Sequence, residues 1–146
     1  MEIYTIGFTK KSARYFFGRL RDAGIGLLYD TRINNTSQLA AFTKRDDLEY
    51  FLDELLDARY EHRVDLAPTQ ELLSAFKKRE IGWDEYAASF LELMDQRRPD
   101  LLLDKDLLAH TPTVLLCSEH KPDQCHRRLV VEYLADAWPA LSPRHL

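Results

Sequence analysis

The sequence predicts a three-layer α/β fold, a mostly parallel sheet with helices on both faces. Three observations carry this. Short apolar runs alternate with amphipathic stretches of helical period along the whole chain. One run, Thr113-Val114-Leu115-Leu116, is apolar without alternation, the mark of a strand buried on both faces. Reactive side chains gather where the short runs end, and that is where open α/β sheets bind ligands.

Ile3 to Ile6 reads as a first buried strand, closed by Gly7. Ser12 to Ala23 reads as a helix with Ala13, Phe16, Phe17 and Leu20 on one face and Gly24 at its end. Ile25 to Tyr29 is a second strand, leading into Asp30-Thr31-Arg32 and then a polar loop, Asn34 to Ser37. Asp46 to Ala58 is amphipathic, with Leu48, Phe51, Leu52 and Leu55 at helical spacing and acids in its first turn. Tyr60 to Leu66 is a charged third strand, stopped by Pro68. Thr69 is placed to cap a helix through Lys78. Trp83 to Arg97 is another helix, with Tyr86, Ala87, Phe90 and Met94 on its core stripe. After the Thr113 strand, Asp123 is expected to cap a last helix carrying Val130, Tyr133, Leu134 and Ala137 inward. Leu141 to Leu146 reads as a closing edge strand.

The chain of 146 residues fits one domain over residues 1–146, with 45% hydrophobic and 30% charged residues. No apolar run spans a bilayer, and Met1-Glu2-Ile3-Tyr4 lacks the pattern of a secretory leader. The expectation is a cytoplasmic protein with no membrane partner, whose two cysteines are thiols rather than a structural disulfide. A net charge of −4 argues against a nucleic-acid backbone as partner. Two local clusters run against that balance: five basic residues from Lys10 to Arg21, and three with His126 from Lys121 to Arg128.

The stretch Cys117 to Arg127 holds both cysteines and two of the five histidines. If Asp123 caps the last helix, Cys125 and His126 lie in its first turn, where free N–H groups favour anions and lower a thiol pKa. Arg127 adds a guanidinium fork suited to phosphate or carboxylate. Cys125 is either a nucleophile or buried filler. Glu119, two residues past a buried strand, is a candidate acid or base, or an ion-pair partner. Asp30 and Arg32 share one side of an extended chain, as a base with an anion-binding cation or as an internal ion pair. The candidate catalytic residues are therefore Asp30, Glu119 and Cys125. The candidate binding residues are Gly7, Arg32, Ser37, His126 and Arg127. No metal or cofactor is expected. Cys125 and His126 are adjacent, an awkward way to chelate one zinc ion. Gly7-Phe8-Thr9-Lys10 is neither a phosphate loop nor a dinucleotide fingerprint.

Several of these segments together resemble the DUF488 family. They are Thr5-Ile6-Gly7, Asp30-Thr31-Arg32, Asn34 and Ser37, and Leu115-Leu116-Cys117-Ser118-Glu119 leading to Cys125-His126-Arg127. Leu66 to Thr69 and Ile81 to Tyr86 resemble one branch of it. The chain departs from the family's common pattern at Phe8-Thr9 and at Thr31. The resemblance implies a Rossmann-like α/β fold and the same grouping of residues, with no established reaction.

The leading expectation is an enzyme, a hydrolase or group-transfer catalyst, acting on a small anionic or nucleotide-like ligand at the carboxyl edge of the sheet. Two rivals stay open. One is a non-catalytic module for a nucleotide or nucleic-acid end. The other is a thiol-redox or metal-responsive protein using Cys117 and Cys125.

Overall fold

The computed structural model describes residues 1–36 and 40–146. Its strands are β1 (Glu2–Gly7), β2 (Leu27–Asp30), β3 (Arg59–His62), β4 (Thr113–Cys117) and β5 (Ser142–His145). They form one sheet in the order β3-β2-β4-β1-β5. Every pairing is parallel, so all carboxyl ends share one edge. The helices are α1 (Ala13–Asp22), α2 (Arg45–Leu56), α3 (Gln70–Lys77), α4 (Trp83–Arg97), α5 (Pro99–Leu102), α6 (Lys105–His110) and α7 (His126–Ala137).

β4 is the central strand and is buried along its whole length, as its unbroken apolar run requires. Pleat alternation then divides the core. Ile3, Leu27, Tyr29 and Leu115 pack with residues of α4 and α7 on one face. Ile6, Leu28, Val114 and Leu116 pack with α1 and α2 on the other. These are the three layers expected from the sequence, and the sheet is parallel throughout rather than mostly so.

Local signals set the boundaries. Ser12 Oγ accepts from the Tyr15 N–H and starts α1, and Gly24 takes φ +67 just beyond its end. Thr69 Oγ1 accepts from the Leu72 N–H and starts α3. β3 stops at His62, short of Leu66, because Val64–Leu66 forms a 3₁₀ turn. Its charged residues suit its place at the sheet edge.

Two expectations change. Asp123 does not cap the last helix. The Cys125 N–H closes a turn onto the Pro122 carbonyl at 3.2 Å, which delays the helix, and Cys125 itself becomes the N-cap without a side-chain cap bond. The short helices α5 and α6 have no counterpart in the sequence reading. Pro99 at the first position starts one, and Asp104, accepting from the Leu107 N–H, starts the other. No helix among the described residues is long and apolar enough to cross a membrane.

Candidate functional site

A cavity of about 320 Å³ opens at the carboxyl edge of the sheet. Arg32, Ile33 and Asn34 reach it from beyond β2, Pro68 from beyond β3, and Cys117, Ser118 and Glu119 from the end of β4. Gln124, Cys125 and His126 line it from the start of α7. Leu73, Phe76, Lys77 and Tyr86 line it from α3 and α4. Part of the wall is thus polar and part largely apolar and aromatic.

Arg32 is the fixed point of the polar wall. Its Nε and Nη2 donate to the two oxygens of Asp30, each at 2.8 Å. Nη2 also donates to the Thr43 carbonyl at 2.6 Å, and the guanidinium lies over the Phe8 ring. The remaining nitrogen, Nη1, is buried and has no partner among the described residues. A buried donor left unpaired costs about 1–3 kcal/mol. Among the described residues Arg19, Arg127 and Arg128 each keep one as well, but of the four residues only Arg32 lines the cavity.

Asp30 is fully buried and does not line the cavity. Besides Arg32 it accepts from the Tyr60 hydroxyl at 2.6 Å and from Asn35 Nδ2 at 3.3 Å. Burial pushes its carboxyl up, but the bonds and charge of Arg32, helped by Tyr60, outweigh this and hold it below the usual range. Burial, then the bond to Asp30, keeps Tyr60 protonated as a donor. Asp30 is therefore a stable anion whose oxygens are occupied in holding Arg32.

Arg127 is also fully buried, and it too stands outside the cavity lining. It braces the segment after β4. Nη1 donates to Cys117 Sγ and to the Glu119 carbonyl, and Nη2 to the His120 carbonyl at 3.3 Å. Burial lowers its pKa to about 10 despite Glu119, so it stays charged at neutral pH. Gly7 makes room for this brace. A Cβ at residue 7 would collide with the Glu119 carbonyl and press on Arg127 Nη1, so no side chain fits there. Gly7 shapes the site from beneath rather than from within the cavity.

His126 continues the aromatic wall. Phe76 and Tyr86 are 4.7 Å apart between ring centroids, Tyr86 and Phe90 6.3 Å, and Phe90 and His126 5.6 Å. The Nε2 atom of His126 is 2.8 Å from the Thr31 carbonyl and 2.9 Å from Thr31 Oγ1. Thr31 Oγ1 gives its own proton to the Leu116 carbonyl. Nε2 therefore carries the hydrogen, and Nδ1 of the neutral ring carries the lone pair. Burial lowers the ring's pKa to about 4, so the neutral form holds at physiological pH.

Cys117 and Cys125 are both buried, and the structure pairs their sulfurs beside the cavity they line. This pairing departs from the two separate thiols expected from the sequence. Their Cα atoms are 7.6 Å apart, wider than the usual span of a disulfide. Glu119 is exposed at the rim. Ser37 lies outside the described residues.

Of the candidates read from the sequence, Arg32, Glu119, Cys125 and His126 line one cavity, while Asp30, Arg127 and Gly7 support it from behind. Sequence reasoning missed Asn34, Phe76, Lys77 and Tyr86 as lining residues. Helical spacing places Tyr86 on the core stripe of α4, and it is buried there at 2% exposure while also facing the cavity.

No curated protein and no solved structure matches this chain. One family model does, the Domain of unknown function DUF488, over residues 12–134. That span runs from the cap of α1 through most of α7 and takes in every cavity-lining residue, so the chain belongs to the DUF488 family.

Proposed function

We propose that this protein is an enzyme that binds a small anionic or nucleotide-like substrate in the cavity and acts on it by hydrolysis or group transfer. The observation that carries the reading is the unpaired, buried Nη1 of Arg32, a residue that lines the cavity. Asp30 offsets part of the attraction. With an anion about 4 Å from the guanidinium and about 7 Å from the carboxylate, the net pull at an effective dielectric of 20 is still ~2 kcal/mol. Lys77 in the lining adds a second cation. The apolar wall of Phe76 and Tyr86 suits a flat ring.

The chemistry falls to Glu119 and Cys125. Asp30 has no free oxygen with which to take a proton, so it acts here as a positioning residue for Arg32. Glu119, solvated at the rim, is the acid or base. Cys125, at the N-cap of α7, is the nucleophile when its thiol is free.

The test follows the nucleoside 5′-monophosphate that most raises the melting temperature, assayed for release of phosphate or of base. Glu119→Gln should lower turnover at least a hundredfold, within the range of general acid–base catalysis, and leave affinity within a few-fold. Cys125→Ser then separates thiol chemistry from direct attack by water. Turnover undiminished in both variants would overturn the catalytic assignment. Binding without turnover in the unmodified protein would make it a ligand-binding module.

A further inference from the structure

We infer that the cavity recognises a nucleoside phosphate through its base, with His126 Nδ1 accepting a hydrogen bond from a base N–H. The inference rests on the proposed anion site at Arg32 and adds a second, separate subsite.

The tautomer of His126 decides which edge it presents. Two oxygens of Thr31 face Nε2, and one of them is a carbonyl, which can only accept. The proton is therefore fixed on Nε2 and the lone pair on Nδ1. Among the described residues, the one hydrogen-bond contact of Nδ1 is with Cys125 Sγ at 4.0 Å, at the outer limit of even a sulfur hydrogen bond. The acceptor nitrogen of a buried residue that lines a cavity, met by Cys125 alone, lacks a good donor.

Tyr86 supplies the complement. It lines the same cavity, and its hydroxyl has no hydrogen-bond partner among the described residues. Burial, reinforced by the Glu119 charge, keeps that hydroxyl protonated and so a donor. An acceptor and a donor beside an aromatic wall match a planar ring bearing an N–H and a carbonyl or ring nitrogen. A sugar phosphate without a base offers no such edge.

Binding of nucleoside 5′-monophosphates and of ribose 5-phosphate, measured by calorimetry, separates the two subsites. At least one nucleotide should bind tenfold or more tightly than ribose 5-phosphate. His126→Gln keeps a donor where Nε2 lies and removes the acceptor at Nδ1, so the fold is retained. It should lose that tenfold preference for the nucleotide over ribose 5-phosphate, a loss of the size expected for one buried hydrogen bond. His126→Asn, whose amide oxygen can occupy the Nδ1 position, should recover part of it. Equal affinity for nucleotides and ribose 5-phosphate in the unmodified protein overturns the base subsite and leaves the anion site standing. A preference that survives in His126→Gln overturns the role of His126. Failure of both ligand types to bind overturns the anion site as well.

Discussion

Asp30→Ala should cost about 3–5 kcal/mol of folding stability, the penalty for stranding one half of a buried ion pair. The carboxylate takes five donors, from the Arg32 backbone, Arg32 Nε and Nη2, Asn35 Nδ2 and the Tyr60 hydroxyl. Removing it leaves a guanidinium that is 3% exposed with no counter-charge. Chemical denaturation of the variant measures the loss. Asp30→Asn should lie between, because it keeps an acceptor and loses the charge. The acid limb carries the same signature. The folded carboxyl titrates below 3.8, so its contribution is complete above that value and is lost as pH falls through the folded pKa. A loss under about 1 kcal/mol in Asp30→Ala, the size of an exposed ion pair, would mean that Arg32 is not held as described.

Acidification from neutral pH should cost about 3 kcal/mol through His126 alone. Its pKa falls from 6.5 unfolded to about 4 folded, and each unit is about 1.4 kcal/mol. Burial is the main cause. The Thr31 carbonyl opposes it by favouring the charged ring, nearby Arg127 disfavours that form, and Asp30 favours it more weakly. The sign follows from proton uptake. Between pH 6.5 and 4 the unfolded chain binds a proton that the folded chain refuses, so stability is full above 6.5 and declines toward 4. His145, also held below its ordinary value by burial, adds a smaller effect of the same sign. Stability measured at about pH 7 and about pH 4.5 should differ by most of that amount, and His126→Gln should remove most of the difference. A pH dependence unchanged in the variant would show that the ring is not buried neutral.

Much of the fold is legible in local pattern. The unbroken apolar run at β4 marks the central strand, and Ser12, Thr69 and Gly24 mark helix ends through chemistry confined to a few residues. Strand order is not legible, because alternation of strands and helices fits several windings. The last helix starts later than expected because a backbone turn at Pro122 competes with the Asp123 side chain, and the two look alike in sequence. For the site, one simple rule about carboxyl ends of strands gathers Arg32, Glu119, Cys125 and His126. It does not tell cavity from scaffold. Asp30 and Arg127 are as polar as Arg32, and Arg127 too keeps a buried nitrogen, Nε, without a partner among the described residues, so only three-dimensional packing decides which of them reaches the cavity. Tyr86 and Phe76 escape notice because an aromatic at helical spacing looks the same whether it faces a core or a cavity.

The central claim is that Arg32, held by Asp30, receives an anionic ligand in the cavity. Arg32→Lys tests it most directly, because lysine can still pair with Asp30 but cannot also present a free fork nitrogen. A nucleoside 5′-monophosphate at a hundredfold excess over its dissociation constant should stabilise the unmodified protein by about 2.7 kcal/mol. In folded Arg32→Lys that ligand-induced gain should fall by at least about 1.4 kcal/mol, a tenfold or greater weakening. An undiminished gain in the lysine variant, or none in the unmodified protein with any nucleotide or sugar phosphate, would contradict the claim.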